Sequence, residues 1–356
     1  MVVFCFYIKI YINMLVILTF NDLYAPNAAT VISEIVYYTK RPVNIAVLYC
    51  NLSDYNVKIL TDFYEQKVES ITFYQIKKED LIYFSDVKTA THLQGVETFL
   101  RILSPMILHQ YDYALYLDCD VIVLDDLYKI IENVDKSKYI NAVREYDIKH
   151  KYRRLDLLPV CLHPKDNYMI RDSYFLRVQR KLGMKSENFS YFNCGVLFLN
   201  LKKMREEQIP QKILRYVADS PILFSADQDA FNAILDGDFG VLKPKWNTAV
   251  LSKGIMTGYS EEDFMEAYES PGIIHITGSV KPWHYMCMHP MRKKYLYFRK
   301  MTPYGKCHEI DKNFKNILRK NYMILKINAY HFLHQTKKKI FGKHKMNMFA
   351  TAYLES

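Results

Sequence analysis

Glycine is scarce in this chain, with 11 in 356 residues. Neither G-x-x-x-x-G-K-[ST] nor G-x-G-x-x-G occurs, which excludes the P-loop and the dinucleotide fingerprint as ways of holding phosphate. Proline is nearly as sparse, at 12, and no long Gly/Ser/Pro stretch appears. One main domain with appendages is therefore expected. The seven cysteines (Cys5, Cys50, Cys119, Cys161, Cys194, Cys287 and Cys307) form no C-x-x-C pair. An odd, unpatterned set speaks against a disulfide framework or a zinc site and fits buried thiols in a reducing compartment. No internal repeat is visible.

The N-terminus, MVVFCFYIKIYINMLVILTF, lacks a basic segment before its apolar run and lacks a small-residue cleavage site, so it does not read as a signal peptide. Lys9 and Asn13 interrupt it, and a spanning helix needs about 20 mostly apolar residues. A second Met, at position 14, directly precedes LVILTF, which reads as a first strand. Residues 1–13 are expected to be a non-functional extension, with a membrane anchor as the other reading.

The net charge of +10 is unevenly spread. Residues 291–356 carry 16 Lys and Arg against 3 Asp and Glu, whereas the preceding 290 residues carry 32 against 35. The basic character belongs to a C-terminal tail, which seeks an anionic surface. The slightly acidic body argues against an extended nucleic-acid groove. Within the tail, Phe314, Leu318, Tyr322, Leu325, Ala329 and Phe332 follow helical spacing, with Lys315, Arg319 and Lys326 off the stripe. That is the pattern of an amphipathic helix lying in a membrane interface or docked on its own domain.

Between the termini, strand and helix alternate. LVILTFND, VNIAVLYC, SITFYQIK and YALYLD read as strands; APNAATVISEIVYYTKR, SDYNVKILTDFYEQ (capped by Ser53 or Asp54) and GVETFLRILSPMIL read as helices. The strands are nearly continuous apolar runs, which predicts an α/β fold with a mostly parallel sheet flanked by helices. Residues 147–183 are basic, aromatic and irregular, as an insertion over the sheet edge would be. SADQDAFNAILDGDF reads as a helix capped by Ser225 and ending near Gly237.

YALYLDCDVIVLDDL ends an apolar strand in two acids one residue apart. Alternate residues of an extended chain share a side, so Asp118 and Asp120 face together and Cys119 turns to the core. Two carboxylates so placed are either solvated or hold a cation, and hard oxygen ligands suit Mg²⁺ or Mn²⁺. Asp125 and Asp126 read as turn and cap residues. In HITGSVKPW, His275 is either a nitrogen ligand favouring Mn²⁺ or a hydrogen-bonded core histidine. Gly278 allows close backbone approach to a phosphate, and Lys281 is a phosphate contact or a solvated loop lysine. In FNCGV, Asn193 and Gly195 open a strand, Asn193 as a sugar ligand or a turn residue. Asp227, Gln228 and Asp229 sit at a helix start, where the dipole favours acids in any case.

LTFNDLYAPNAATVIS, TFLRI, YLDCDVIV, YFNCGVLFLNLKK, DQDAFN and HITGSVKPWH occur in the order seen in family 8 glycosyltransferases, which the chain resembles from about Met14 to His284. The resemblance is to the bacterial lipopolysaccharide galactosyl- and glucosyltransferases in particular. It implies a GT-A fold over residues 14–290, with 291–356 as a membrane-associating tail. It implies retaining transfer of galactose or glucose from a UDP-sugar to a lipopolysaccharide core at the inner face of the cytoplasmic membrane. Asp118, Asp120 and His275 would ligate Mn²⁺ (or Mg²⁺), with Cys119 as the spacer of that motif and Gly278 and Lys281 on the diphosphate. Thr19, Asn21 and Tyr24 would hold uridine, although Asn21 and Leu23 stand where the family often has Asp and Asn. Arg101 would bind sugar or diphosphate, and Asn193, Gly195, Asp227 and Gln228 would lie at the donor hexose. Glu145 falls where the family often has Asp, in a stretch that matches less well. Gln228 is a poor nucleophile, so a front-face reaction is implied, with Asp227 as the carboxylate alternative. The rival readings are a catalytically inactive membrane-bound sugar-binding scaffold and a basic nucleic-acid-binding protein.

Overall fold

The computed structural model describes residues 14–341 apart from 78, 80, 82–94, 146–147, 150–173, 187–189, 221–222, 224, 249–254, 257–258, 278–279 and 307–308. The expected N-terminal extension, most of the irregular middle segment, Gly278 and the last residues of the tail thus lie outside the described residues.

The strands are β1 (Met14–Thr19), β2 (Val43–Tyr49), β3 (Ser70–Gln75), β4 (Tyr113–Leu117), β5 (Val121–Val123), β6 (Ile140–Arg144), β7 (Ile148–Lys149), β8 (Phe192–Asn200), β9 (Gly240–Val241), β10 (Ile255–Met256) and β11 (Ile273–His275). Seven of them form one sheet in the order β3-β2-β1-β4-β8-β6-β9. β1, β2, β3 and β4 pair in parallel. β8 runs antiparallel between β4 and β6. β7 pairs with β10 and β5 with β11, both antiparallel.

Both faces of the sheet are covered, and β1 shows how. Val16 and Leu18 enter one core cluster with Ile32 and Ile35, whereas Leu15 and Ile17 enter the other with Leu100 and Leu103. A strand buried on both faces must be apolar at every position, which is why LVIL carries no alternation. Each fully buried aliphatic side chain here contributes about 1.5–3 kcal/mol relative to exposure.

The helices are α1 (Ala25–Tyr38), α2 (Asp54–Tyr64), α3 (Leu100–Ile107), α4 (Tyr128–Ile131), α5 (Tyr174–Lys181), α6 (Leu201–Glu206), α7 (Ile209–Asp219), α8 (Asp227–Leu235), α9 (Glu261–Glu269), α10 (Arg292–Lys300) and α11 (Phe314–Phe341). α1 opens with Pro26 in its first turn, where the missing N–H is not needed. α2 is capped by Ser53, whose hydroxyl accepts from Asn56 N. Pro105 lies inside α3 and has no N–H for the Arg101 carbonyl; Ser104 Oγ donates to that oxygen instead, at 2.7 Å. α8 departs from expectation. Its N-cap is Ala226 at φ +50°, not Ser225, and Asp229 Oδ2 accepts from Ser225 N at 2.9 Å. A left-handed alanine is strained, and the strain lies immediately before Asp227 and Gln228. α11 leaves Phe314, Leu318, Tyr322 and Leu325 exposed.

Candidate active site

The first turn after β4 carries the acids. Asp118 follows the last residue of β4, and Asp118 N donates to Gly195 O of β8 at 2.9 Å. β5 begins at Val121 and pairs with β11 in a register that sets His275 against Val121 and Ile274 against Ile122. This two-stranded ribbon brings His275 to the acids across more than 150 residues of chain. His275 Nε2 lies 3.2 Å from Asp120 Oδ1 and 3.7 Å from Asp118 Oδ2. One ligand atom from each of Asp118, Asp120 and His275 falls within 4.8 Å of the others. Two carboxylate oxygens and an imidazole nitrogen converging at this span fit a divalent cation of the first transition row. Cys119 is buried, and its thiol is directed to Thr19 O at 3.7 Å.

The orientation of His275 follows from a chain of amides. Gly195 N can only donate, and it donates to Asn193 Oδ1 at 2.8 Å. Asn247 Nδ2 donates to the same oxygen at 2.8 Å. Asn247 Oδ1 therefore faces His275 Nδ1, 3.0 Å away, and Nδ1 must carry the hydrogen. In the neutral ring the Nε2 lone pair is left pointing at the acids, the tautomer a metal ligand needs. Asn193 Nδ2 closes the network on Glu145 Oε1 at 2.7 Å. Gly195 makes the packing possible, because a Cβ there would sit 2.2 Å from His275 Cε1 and 3.0 Å from Asp118 Oδ2.

Charges balance around the cluster. Burial opposes the charge of Asp120, but Lys281 and His275 outweigh it and hold the carboxyl well below the usual range. Lys281 Nζ lies 2.5 Å from Asp120 Oδ2 and 3.0 Å from Ile276 O. Burial works against a proton on His275, yet Asp120 and Asp118 raise its pKa, so a metal would have to displace that proton.

Arg101 links this cluster to the start of α8. Its guanidinium is buried over the Tyr116 ring, with Nη2 3.1 Å from Asp118 Oδ1 and Nη1 donating to Cys194 O at 2.5 Å. Arg101 Nε is 2.8 Å from Asp227 Oδ2, but its single hydrogen goes to Thr98 O. The Asp227 oxygen is left with charge contact and no hydrogen bond among the described residues. Burial raises the Asp227 pKa to about 7 against the opposing pull of Arg101. Gln228 is next to it: Oε1 accepts from Cys194 N at 3.0 Å, and Nε2 donates to Tyr191 OH at 3.2 Å.

The loop after β1 lies close by. Thr19 Oγ1 and Tyr116 OH are 3.0 Å apart, and Tyr116 OH donates to Asp118 Oδ1 at 2.8 Å. Asn21 Oδ1 accepts from Tyr24 N at 3.3 Å, which bends the chain into α1. Tyr24 packs edge-on against Trp283 at 5.5 Å. Its burial, with the charges of Asp120 and Asp118 nearby, pushes the phenol up to about 12. Asp22 ties the loop to α2 by accepting from Ser53 N and Asn56 Nδ2 at 2.8 and 2.7 Å.

Thr19, Arg101, Asp118, Asp120, Glu145, Asn193, Gly195, Asp227, Gln228, His275 and Lys281 are thus linked through shared contacts, whereas Tyr24 feels the acids only through their charge and Asn21 contacts none of them. The amide of Asn193, read from the sequence as a sugar ligand, is engaged within the protein on both its atoms. Sequence reasoning missed Asn247 and Tyr116. Asn247 stands alone in KWNTAV with no motif around it, whereas the alternation of YALYLD could have placed Tyr116 on the Asp118 face.

A family model for glycosyl transferase family 8 matches residues 15–287. General stress protein A of Bacillus subtilis (strain 168) is 25% identical over 261 residues, covering 70% of this chain and 73% of that protein. Lipopolysaccharide 1,2-glucosyltransferase of Escherichia coli (strain K12) is 32% identical over 107 residues, 30% of this chain and 32% of that one. Among solved structures, the galactosyltransferase LgtC in complex with donor and acceptor sugar analogues superimposes with a TM-score of 0.63 at 19% identity, over 82% of this chain and 96% of that chain. The mostly parallel sheet flanked by helices is the GT-A architecture of such neighbours. With the model spanning most of its length, the chain belongs to glycosyl transferase family 8.

Proposed function

We propose that this protein is a retaining hexosyltransferase that moves galactose or glucose from a UDP-sugar to a lipopolysaccharide core acceptor, with Mn²⁺ at Asp118, Asp120 and His275. The observation that carries the reading is the convergence of those three side chains within 4.8 Å at the carboxyl end of β4. The bound ion would supply Lewis-acid neutralisation of the leaving diphosphate. The chain's own residues do the rest. Tyr24 offers a ring face to the uracil and Asn21 an amide, one polar contact fewer than in relatives with Asn at position 23. Lys281 adds a positive charge for the phosphates. Asn193 and Glu145 border the donor hexose, with Asp227 and Gln228 below it.

Asp227 as a nucleophile is disfavoured by its raised pKa of about 7 and by Arg101 beside it. A front-face route fits better. The leaving phosphate accepts the acceptor hydroxyl's proton, and Gln228 Oε1, with a lone pair beyond the one given to Cys194 N, faces the developing positive charge. The Escherichia coli relative's name supports the lipopolysaccharide acceptor. The exposed apolar residues of α11 and the basic tail support a peripheral place on the inner face of the cytoplasmic membrane. Among the described residues, no helix is long and apolar enough to cross a membrane.

The test is UDP release from a panel of UDP-sugars with and without Mn²⁺. Asp120→Asn should abolish metal-dependent release while the protein remains folded. Turnover near wild type in that variant removes the metal assignment, and no release from any donor in the wild type favours the inactive scaffold.

A further inference from the structure

A cleft of about 840 Å³ opens beside the loop that follows β1. Leu23 and Trp283 form part of its wall, and Trp283 is the ring that meets Tyr24 edge-on. Three basic residues, Arg299, Lys300 and Lys306, line it, and among the described residues no carboxylate does. None of the three has an ion-pair partner among the described residues.

Arg299, at the end of α10, carries the argument. It is 6% exposed. Its Nε has no hydrogen-bond partner among the described residues. Its Nη1 makes one long contact, 3.5 Å, to Asn27 Oδ1, an oxygen already accepting from Tyr295 OH at 2.8 Å. A guanidinium brings five donors and a permanent charge. Buried arginine is nearly always paired, because an unpaired charge out of water is costly. Glu34, a fully buried acid, does not supply the balance: burial keeps its carboxyl well above the usual range, and its hydrogen bond comes from Val123 N at 2.9 Å.

The cleft is built rather than incidental. Thr302 Oγ1 donates to Arg299 O at 2.8 Å and accepts from Tyr304 N at 3.1 Å. Tyr304 OH donates to Asn56 Oδ1 at 2.6 Å, and Asn56 in turn holds Asp22. Gly305 comes so close to α10 that a Cβ there would lie 2.9 Å from Lys300 O.

We propose that this cleft is an anion site for the phosphate group of an organic phosphate, with Arg299 as the buried forked donor and Lys300 and Lys306 as the exposed charges at its rim. Leu23 and Ile310, 70% and 65% exposed, give the rest of the ligand an apolar wall to lie on. A lipid headgroup and a phosphorylated sugar share this chemistry. The site uses none of the residues of the metal cluster and borders the loop assigned to uridine only through Leu23 and Trp283.

Calorimetric titration of the full chain, free of divalent metal and at constant ionic strength, tests it. The probes are inorganic phosphate, glycerol 1-phosphate as a headgroup fragment, and glucose 6-phosphate. All three should bind, and a tighter glycerol or glucose arm identifies the source. Arg299→Met should weaken binding at least about tenfold, the loss of a charge-assisted hydrogen bond. Should that variant fold poorly, the exposed pair Lys300→Ala/Lys306→Ala serves the same purpose and is expected to weaken binding several-fold. Lys281→Ala, at the metal cluster, should leave binding unchanged. Binding that survives both cleft variants, or that is lost in Lys281→Ala alone, overturns the proposal, as does no binding of any probe to the wild type.

Discussion

Asn247 offers the sharpest test of how the metal cluster is oriented. Among the described residues its amide oxygen is the acceptor that holds the hydrogen of His275 on Nδ1, at 3.0 Å, and both side chains are buried. In Asn247→Ala that hydrogen loses its acceptor in a site closed to water, a loss of about 1–3 kcal/mol. The ring then gains by moving its proton to Nε2 or rotating, and either change removes the lone pair from the acids. Loss of such an outer partner typically weakens metal affinity about 10–100-fold, equivalent to about 1.4–2.7 kcal/mol. The measurement is the free Mn²⁺ signal in electron paramagnetic resonance during titration of the protein without donor sugar, so turnover plays no part. A double-mutant cycle sharpens it: in His275→Ala the same Asn247 substitution should add little further loss of Mn²⁺ affinity, because of its two contacts only the one to the ring reaches a ligand directly, the other going to Asn193 Oδ1. A Mn²⁺ affinity within about twofold of wild type in a folded Asn247→Ala protein would refute the tautomer argument.

Three other outcomes follow from the structure. Gly195→Ala should lower Mn²⁺ affinity and destabilise the fold, because the new methyl would overlap the His275 ring and crowd Asp118; overpacking of this kind costs about 1–3 kcal/mol by thermal unfolding. Glu34→Gln should gain stability over wild type as pH rises. Burial raises the Glu34 pKa in the folded protein, so the folded state keeps a proton that the unfolded chain has lost, and wild-type stability falls above the ordinary carboxylate pKa of about 4.5. Unfolding temperatures of the two proteins that run parallel from about pH 5 to about pH 8 would contradict that linkage. Truncation after Asn313 should abolish sedimentation with anionic vesicles, while transfer to a soluble disaccharide acceptor is kept; unchanged sedimentation would remove the tail from membrane binding.

The strands and most helices were legible because their causes are local. A two-face-buried strand must be apolar or have its polar groups partnered: LVIL and YALYL carry only hydrophobic and aromatic residues, and VNIAVLY departs from that only at Asn44, whose amide oxygen accepts from Ser70 Oγ at 2.7 Å. Ser53 was readable as a cap candidate for the same reason. The cap of α8 was not. Ser225 has the right chemistry, but the chain turns one residue later, at Ala226 with positive φ, and Asp229 binds back to Ser225 N. No local preference favours an alanine in that conformation, so packing imposes it.

The site divides along the same line. The sequence by itself determined the candidate side chains: the spacing of Asp118 and Asp120 puts both on one side, and the ordered motifs single out His275, Gln228 and Arg101. It could not say that β5 and β11 pair in the register that sets His275 beside the acids, since that pairing joins segments far apart in the chain. Nor could it assign Gly195, whose missing side chain matters only because an imidazole from another strand fills the space. Asn247, in a stretch without pattern, becomes the residue that orients the histidine. Arg299 counted as one more charge of a basic tail until the fold buried it with no carboxylate partner among the described residues. Composition and spacing are properties of neighbours along the chain, whereas tautomer, close approach and uncompensated charge belong to neighbours in space, which only the tertiary structure decided.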